Sequence, residues 1–194
     1  MKWTIFTFYG LVLLLTSCLH APTPKPYGYP RLVPPLSSYT LSSPTDLDCQ
    51  FALSDSAQLI LSSPDLQKGW FDIHYKFLKA TLHCSVLTFT TKDKLLTACQ
   101  ESQQLAIRET LSSKDLSALN YSHPELNVYG TLYSIEGEVA SPLQLVLTDS
   151  IAHLFRGALY YDHRVQADSI RPITHYLRND LMEMARTFIW IKDR

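Results

Sequence analysis

The side chains able to do chemistry in this chain are scattered. Seven histidines run from His20 to His175, and no HExxH places two of them on one helix face. His74 and His83 fall on two neighbouring strand-like segments, so a hairpin would bring them near each other. Histidines on a polar sheet face are the ordinary reading of that pair. Asp149-Ser150 followed by His153 has the composition of a hydrolytic triad. Triads are defined by spatial roles, and residues this close in sequence more simply shape a turn. There is no GxSxG elbow. Glu136 and Glu138 flank Gly137 at what reads as a hairpin tip, where nothing would raise a carboxyl pKa for acid catalysis. Arg156 sits inside the apolar run Leu154 to Leu159. Its planar fork suits a carboxylate, with Asp149 as the candidate, but a solvated face or a partner contact fits it as well. The six glycines form neither GxGxxG nor GxxxxGK[ST]. These residues assign no catalytic group, no metal ligand set and no cofactor, and the expectation is a protein that is not an enzyme.

The cysteines carry a sharper signal. Met1-Lys2 is a positive start, and Ile5 to Leu15 is apolar apart from Thr7 and Gly10. That run is too short for an ordinary transmembrane helix, which needs about 20 residues. It has the order of a secretory signal. Leu15-Thr16-Ser17-Cys18 resembles the lipobox of bacterial lipoproteins, which implies acylation of Cys18 and loss of residues 1–17. Each buried acyl CH₂ contributes about 0.8 kcal/mol, so several chains hold a protein on a leaflet. No Asp follows Cys18 directly, which by known sorting rules points to the periplasmic face of the outer membrane. Cys49, Cys84 and Cys99 remain, an odd number that allows one bridge. Cys84 shares a strand face with Leu82 and Val86, and Cys99 lies beside Leu95 on the following helix. A Cys84–Cys99 bridge and two small buried hydrophobes are both open readings.

These groups must be positioned by a modest set of elements. Residues 19–45 hold seven of the eleven prolines, which favours an extended, polyproline-like tether. Tyr27, Tyr29 and Tyr39 suggest that part of it docks on a surface. A globular pattern starts near residue 46. Phe51 and Leu53 alternate as a short strand, and Trp70 to Phe77 and Thr81 to Phe89 read as two more. Thr91 caps a helix that runs to about residue 110. Residues 111–126 read as loop. Strands follow at 128–135, 143–148 and 154–161, with turns at Glu136-Gly137-Glu138 and Asp149-Ser150. Ser169 can cap a last helix with Pro172 in its first turn. Ile170, Ile173, Leu177, Leu181, Met184, Phe188 and Ile191 form its single apolar stripe. This order predicts an α+β domain over 46–194: an antiparallel sheet with two main helices packed on it. A Mog1/PsbP-like layered sandwich is one such arrangement.

Composition agrees with one folded domain behind an anchor. The 194 residues carry 17 Lys+Arg against 18 Asp+Glu, which excludes a strongly basic nucleic-acid binder. With 46% hydrophobic and 18% charged residues, disorder of the whole chain is excluded as well.

The chain resembles the gliding-motility lipoprotein GldD family of Bacteroidota. Pro24-Lys25-Pro26-Tyr27-Gly28-Tyr29-Pro30-Arg31, just past the lipobox, is similar to that family's Pro-Lys-Pro-x-Gly-Tyr-x-Arg opening. Trp70-Phe71-Asp72-Ile73 is similar to its Trp-Phe-Asn-Ile. Val128-Tyr129-Gly130, Ala140-Ser141-Pro142-Leu143-Gln144, Leu147-Thr148-Asp149-Ser150 and His153-Leu154-Phe155-Arg156-Gly157-Ala158-Leu159-Tyr160 follow in the same order. The likeness spans about residues 24–191. The first helix departs from the pattern at Ala106-Ile107-Arg108-Glu109-Thr110. The resemblance implies a lipid-anchored envelope protein that assists surface gliding and the type IX secretion system, in contact with other envelope proteins. It supplies no catalytic residues. The alternative is a periplasmic ligand-binding or hydrolytic lipoprotein whose site no motif reveals.

Overall fold

The computed structural model describes residues 37–44, 47–61, 69–109, 115–162 and 167–191. Cys18 and the tether residues Pro24, Lys25, Pro26, Gly28, Tyr29 and Arg31 lie outside them.

Seven strands form one antiparallel sheet. They are β3 (Gln58–Leu61), β4 (Trp70–Tyr75), β5 (Ala80–Thr88), β6 (Asp115–His123), β7 (Val128–Glu136), β8 (Leu143–Thr148) and β9 (His153–Tyr161). Their spatial order is β3-β4-β5-β9-β8-β7-β6. A smaller sheet joins β1 (Tyr39–Ser42), β2 (Cys49–Ser54) and β10 (Ile189–Trp190), with β2 in the middle. Among the described residues two α-helices complete the fold: α1 (Lys92–Glu109) and α2 (Ala167–Thr187).

Strand alternation decides what goes inside. Phe71, Ile73 and Tyr75 of β4 are buried, as are Leu82, Cys84 and Val86 of β5 and Leu143, Leu145 and Leu147 of β8. They meet Ile173, Leu177, Leu181 and Met184 of α2, together with Phe51 of β2, in one core. Each such side chain contributes about 1.5–3 kcal/mol when fully buried. Phe51, Phe71, Phe155 and Phe188 stack through its centre, with neighbouring ring centroids 5.3–6.3 Å apart. Against the other face of the sheet α1 lays Leu95 and Ala106 on Tyr133, Val146 and Leu154. The arrangement is thus α+β, with the larger sheet between α1 on one side and α2 with the small sheet on the other.

Four sequence expectations change. Residues 115–123, read as loop, form β6. Their side chains are largely exposed on both faces, so no core alternation marked the strand; pairing with β7 over all nine residues makes it. The fold also reaches N-terminal of residue 46. β1 lies within the expected tether and pairs with β2. The last helix begins at Ala167, before Ser169, so Pro172 falls in the helix interior rather than its first turn. Its cost is one lost backbone bond. Finally, the helix ends at Thr187, and Phe188 and Trp190 keep their place in the core from outside it.

Candidate partner-binding face

α1 packs on β7, β8 and β9 through Tyr133, Val146 and Leu154. Over β3, β4 and β5 the same sheet face leaves large apolar side chains open. The strand register fixes what it displays. Trp70, Ser85 and Arg156 lie in one cross-strand row, and Ile60, Asp72, His83 and Ala158 in the next. His74, Thr81 and Tyr160 form a third. Ile60, Trp70, Leu87 and Tyr160 leave 36–48% of their surface open, unusual for large apolar side chains sharing one patch.

The polar groups on this face are organised. Asp72 Oδ1 accepts from His83 Nδ1 at 2.7 Å, and His74 Nε2 lies 3.8 Å from Asp72 Oδ2. The His83 ring packs on Tyr160, centroid to centroid 5.5 Å. His74 and His83 do approach each other as their hairpin placement predicts, but a carboxylate stands between them. No group of three or more His, Cys, Asp or Glu side chains suited to holding a metal ion occurs among the described residues.

Arg156 stands at the border between the covered and open halves. Val146, its neighbour on β8, lies under α1, and Ser85, its neighbour on β5, faces the open half. Its Nε is buried and has no hydrogen-bond partner among the described residues. The expected Arg156–Asp149 pair does not form. Asp149 lies in the β8–β9 turn, and its carboxylate is already engaged. Oδ1 accepts the amides of Ile151, Ala152 and His153 at 2.8–2.9 Å, and Oδ2 accepts from His153 Nδ1 at 2.7 Å. Burial works to raise the Asp149 pKa, but the His153 ring and the three amides together hold it below its ordinary value. Asp149 and His153 therefore meet after all, as a turn closure. Ser150, at φ +62°, directs its amide to Thr148 Oγ1 and does not bond His153.

The Cys84–Cys99 bridge is also corrected. Cys84 faces α2 in the main core, whereas Cys99 belongs to α1 on the opposite side of the sheet. A sheet lies between them, and Cys49, Cys84 and Cys99 are all free thiols. Burial pushes the Cys49 thiol up to about 12 and Cys84 well above its usual range, so both behave as small hydrophobes.

A second polar cluster escaped sequence reasoning. Asp180 of α2 is 3% exposed. Its Oδ1 accepts from the Tyr39 hydroxyl at 2.8 Å and from Ser37 at 3.5 Å, while Oδ2 is buried with no hydrogen-bond partner among the described residues. Burial raises its pKa, and it raises that of Tyr39 to about 12. A polar residue at one position of an apolar helix stripe was the only available hint.

The solution structure of cyanobacterial PsbP (CyanoP) from Synechocystis sp. PCC 6803 is similar to this chain at 12% identity and a TM-score of 0.48. That match covers 79% of this chain and 92% of that one. The Saccharomyces cerevisiae Ran-binding protein Mog1p is similar at 10% identity and a TM-score of 0.49, covering 80% and 97%. No curated protein matches the chain. The family model described as "Gliding motility lipoprotein GldD" matches residues 20–190, nearly the whole length. The chain therefore belongs to the gliding motility lipoprotein GldD family.

Proposed function

We propose that this lipoprotein is a non-enzymatic accessory of the gliding-motility and type IX secretion machinery that docks another envelope protein through the open sheet face. Acylated Cys18 would hold it on the periplasmic face of the outer membrane, with the Pro-rich segment as spacer. Among the described residues, no helix is long and apolar enough to cross a membrane. The observation that carries the reading is a convergence. Trp70-Phe71-Asp72-Ile73 and His153 to Tyr160 are far apart in sequence, and both resemble family motifs. Their inward residues, Phe71, Ile73, Phe155 and Leu159, fill the core. Their outward residues, Trp70, Asp72, Arg156 and Tyr160, share one open face, with Trp70 and Arg156 two strands apart, about 10 Å. Core packing gives no reason for Trp and Arg there, and both are residue types enriched at binding hot spots. The partner chemistry follows: an apolar surface for Trp70 and Ile60, with polar groups to meet the half-buried Arg156 and Asp72 beside it.

Deleting the gene in a host with the machinery should abolish surface spreading or secretion of type IX cargo. Unchanged spreading and secretion would defeat the proposal. In-cell crosslinking from residue 70 should capture a specific envelope protein. Palmitate labelling should disappear in Cys18→Ala.

A further inference from the structure

The large sheet ends in two unequal edges. β3 is four residues long, short enough to be a poor template. β6 is nine residues long and regular, and among the described residues it pairs with β7 alone. It contains no Lys, Arg or Pro, the residues that usually blunt an edge. Leu116 and Leu119 are 40% and 38% exposed on it. Its two ends carry complementary groups, Asp115 at the start and His123 at the finish. Asp115 is also paired directly with Glu136 of β7, a like-charge neighbour across the strand pair.

We propose that β6 pairs antiparallel with β6 of a second copy of this chain, about a two-fold axis at Leu119. Positions equidistant from 119 then face each other across the new edge, so each Asp115 meets the second copy's His123. Residues directly opposite in an antiparallel pair point to the same face, which puts these groups within reach. His123 Nδ1 accepts the Leu126 amide at 3.3 Å, so in the neutral ring the proton is on Nε2, free to serve Asp115 as donor. Leu119 packs on its own symmetry mate at the axis. A register slip of one residue breaks both end pairs and turns Leu119 away from its mate, so the register is specified. The contact is isologous and closes as a dimer. It uses none of the residues of the open sheet face, so the two interfaces can succeed or fail separately.

Cysteine crosslinking of the full-length protein in its native membrane tests the register. Leu119→Cys should give a reducible dimer under mild oxidation, because facing positions fall within the Cα separation of about 4.4–6.8 Å that a disulfide needs. Leu116→Cys should not, since residues 116 of the two copies would be about 20 Å apart at about 3.4 Å per residue. Equal crosslinking of both variants, or none from Leu119→Cys, overturns the proposal. A second measurement leaves the strand intact. Light scattering of the detergent-solubilised wild-type protein should give the mass of two chains, and Asp115→Lys should shift it toward one. Adding His123→Glu to Asp115→Lys should restore two. A single-chain mass for the wild type across the accessible concentration range also overturns it.

Discussion

The Tyr39 hydroxyl donates to Asp180 Oδ1 at 2.8 Å, joining the first strand to the last helix across 141 residues. Ser37, the first residue of the described fold, reaches the same oxygen at 3.5 Å. Thr187 Oγ1 accepts the Ala52 amide at 2.8 Å and so ties β2 to the end of the same helix. The first described strand and β2 are thus both tied to α2 by side-chain hydrogen bonds.

Tyr39→Phe should destabilise the domain by about 1–3 kcal/mol, the range for a hydrogen bond to a charged group whose loss leaves an acceptor buried. Urea unfolding followed by tryptophan fluorescence checks it, with the midpoint falling and the slope unchanged.

Asp180 gives a pH dependence of defined sign. Its folded pKa is raised, chiefly by burial. The protonated form therefore favours the fold. That contribution is fully present below the ordinary carboxyl value and is lost as pH rises through the folded pKa. Asp180→Asn should flatten this part of the curve, so its melting temperature gains on the wild type between acidic and neutral pH. A melting profile of Asp180→Asn parallel to the wild type would refute the assignment.

Asp149 has the opposite sign. Its folded pKa is lowered, the His153 ring and three amides outweighing burial. Its contribution is present above the unfolded carboxyl pKa of about 3.9 and is lost as pH falls through the lower folded value. Asp149→Ala should cost about 2–4 kcal/mol at neutral pH, because it strands amides at a tight turn. It should also remove the corresponding part of the acid sensitivity in a thermal scan.

These pairs show where the sequence was legible. Alternation in β4, β5 and β8 and the 3–4 spacing of α2 are periodic signals, and each produced the element it predicts. β6 has no buried face, and β1 has only half-buried and exposed residues, so neither carries a period that propensity could detect. The sites failed for a related reason. Asp149 was one candidate partner for Arg156 by strand proximity, yet the four residues to His153 close a turn, and local backbone donors reach a carboxylate before a distant guanidinium does. A Cys84–Cys99 bridge stayed open in the sequence because one helix follows one strand. Which face the helix takes is decided by the whole sheet, and α1 took the other side.

Gly130 shows how much of the family resemblance is packing. A Cβ built there would lie 2.0 Å from the Val146 carbonyl oxygen and 2.8 Å from a Leu147 methyl. The strand pair cannot open without losing β7–β8 bonds. Gly130→Ala should therefore destabilise the domain well beyond an ordinary surface change of about 0.5 kcal/mol. Reduced cooperativity and faster amide exchange along β8 should accompany it.

The outward residues of the same motifs should behave in the reverse way. Trp70 is 48% exposed and contributes little to the core. Trp70→Ala should shift unfolding free energy by about 0.5 kcal/mol or less, within the range of surface substitutions. Arg156→Gln removes the guanidinium whose buried Nε has no partner among the described residues, so it relieves that donor at the cost of some packing of the stem. Both variants should fold, reach the membrane and accumulate normally, yet lose spreading or cargo secretion, most severely in combination. Phe155→Ala, from the same strand as Arg156, supplies the contrast: its ring is fully buried, and its loss should cost about 3–5 kcal/mol and deplete the protein itself. If Trp70→Ala and Arg156→Gln together leave both motility and secretion intact at normal protein levels, the open sheet face is not the docking surface.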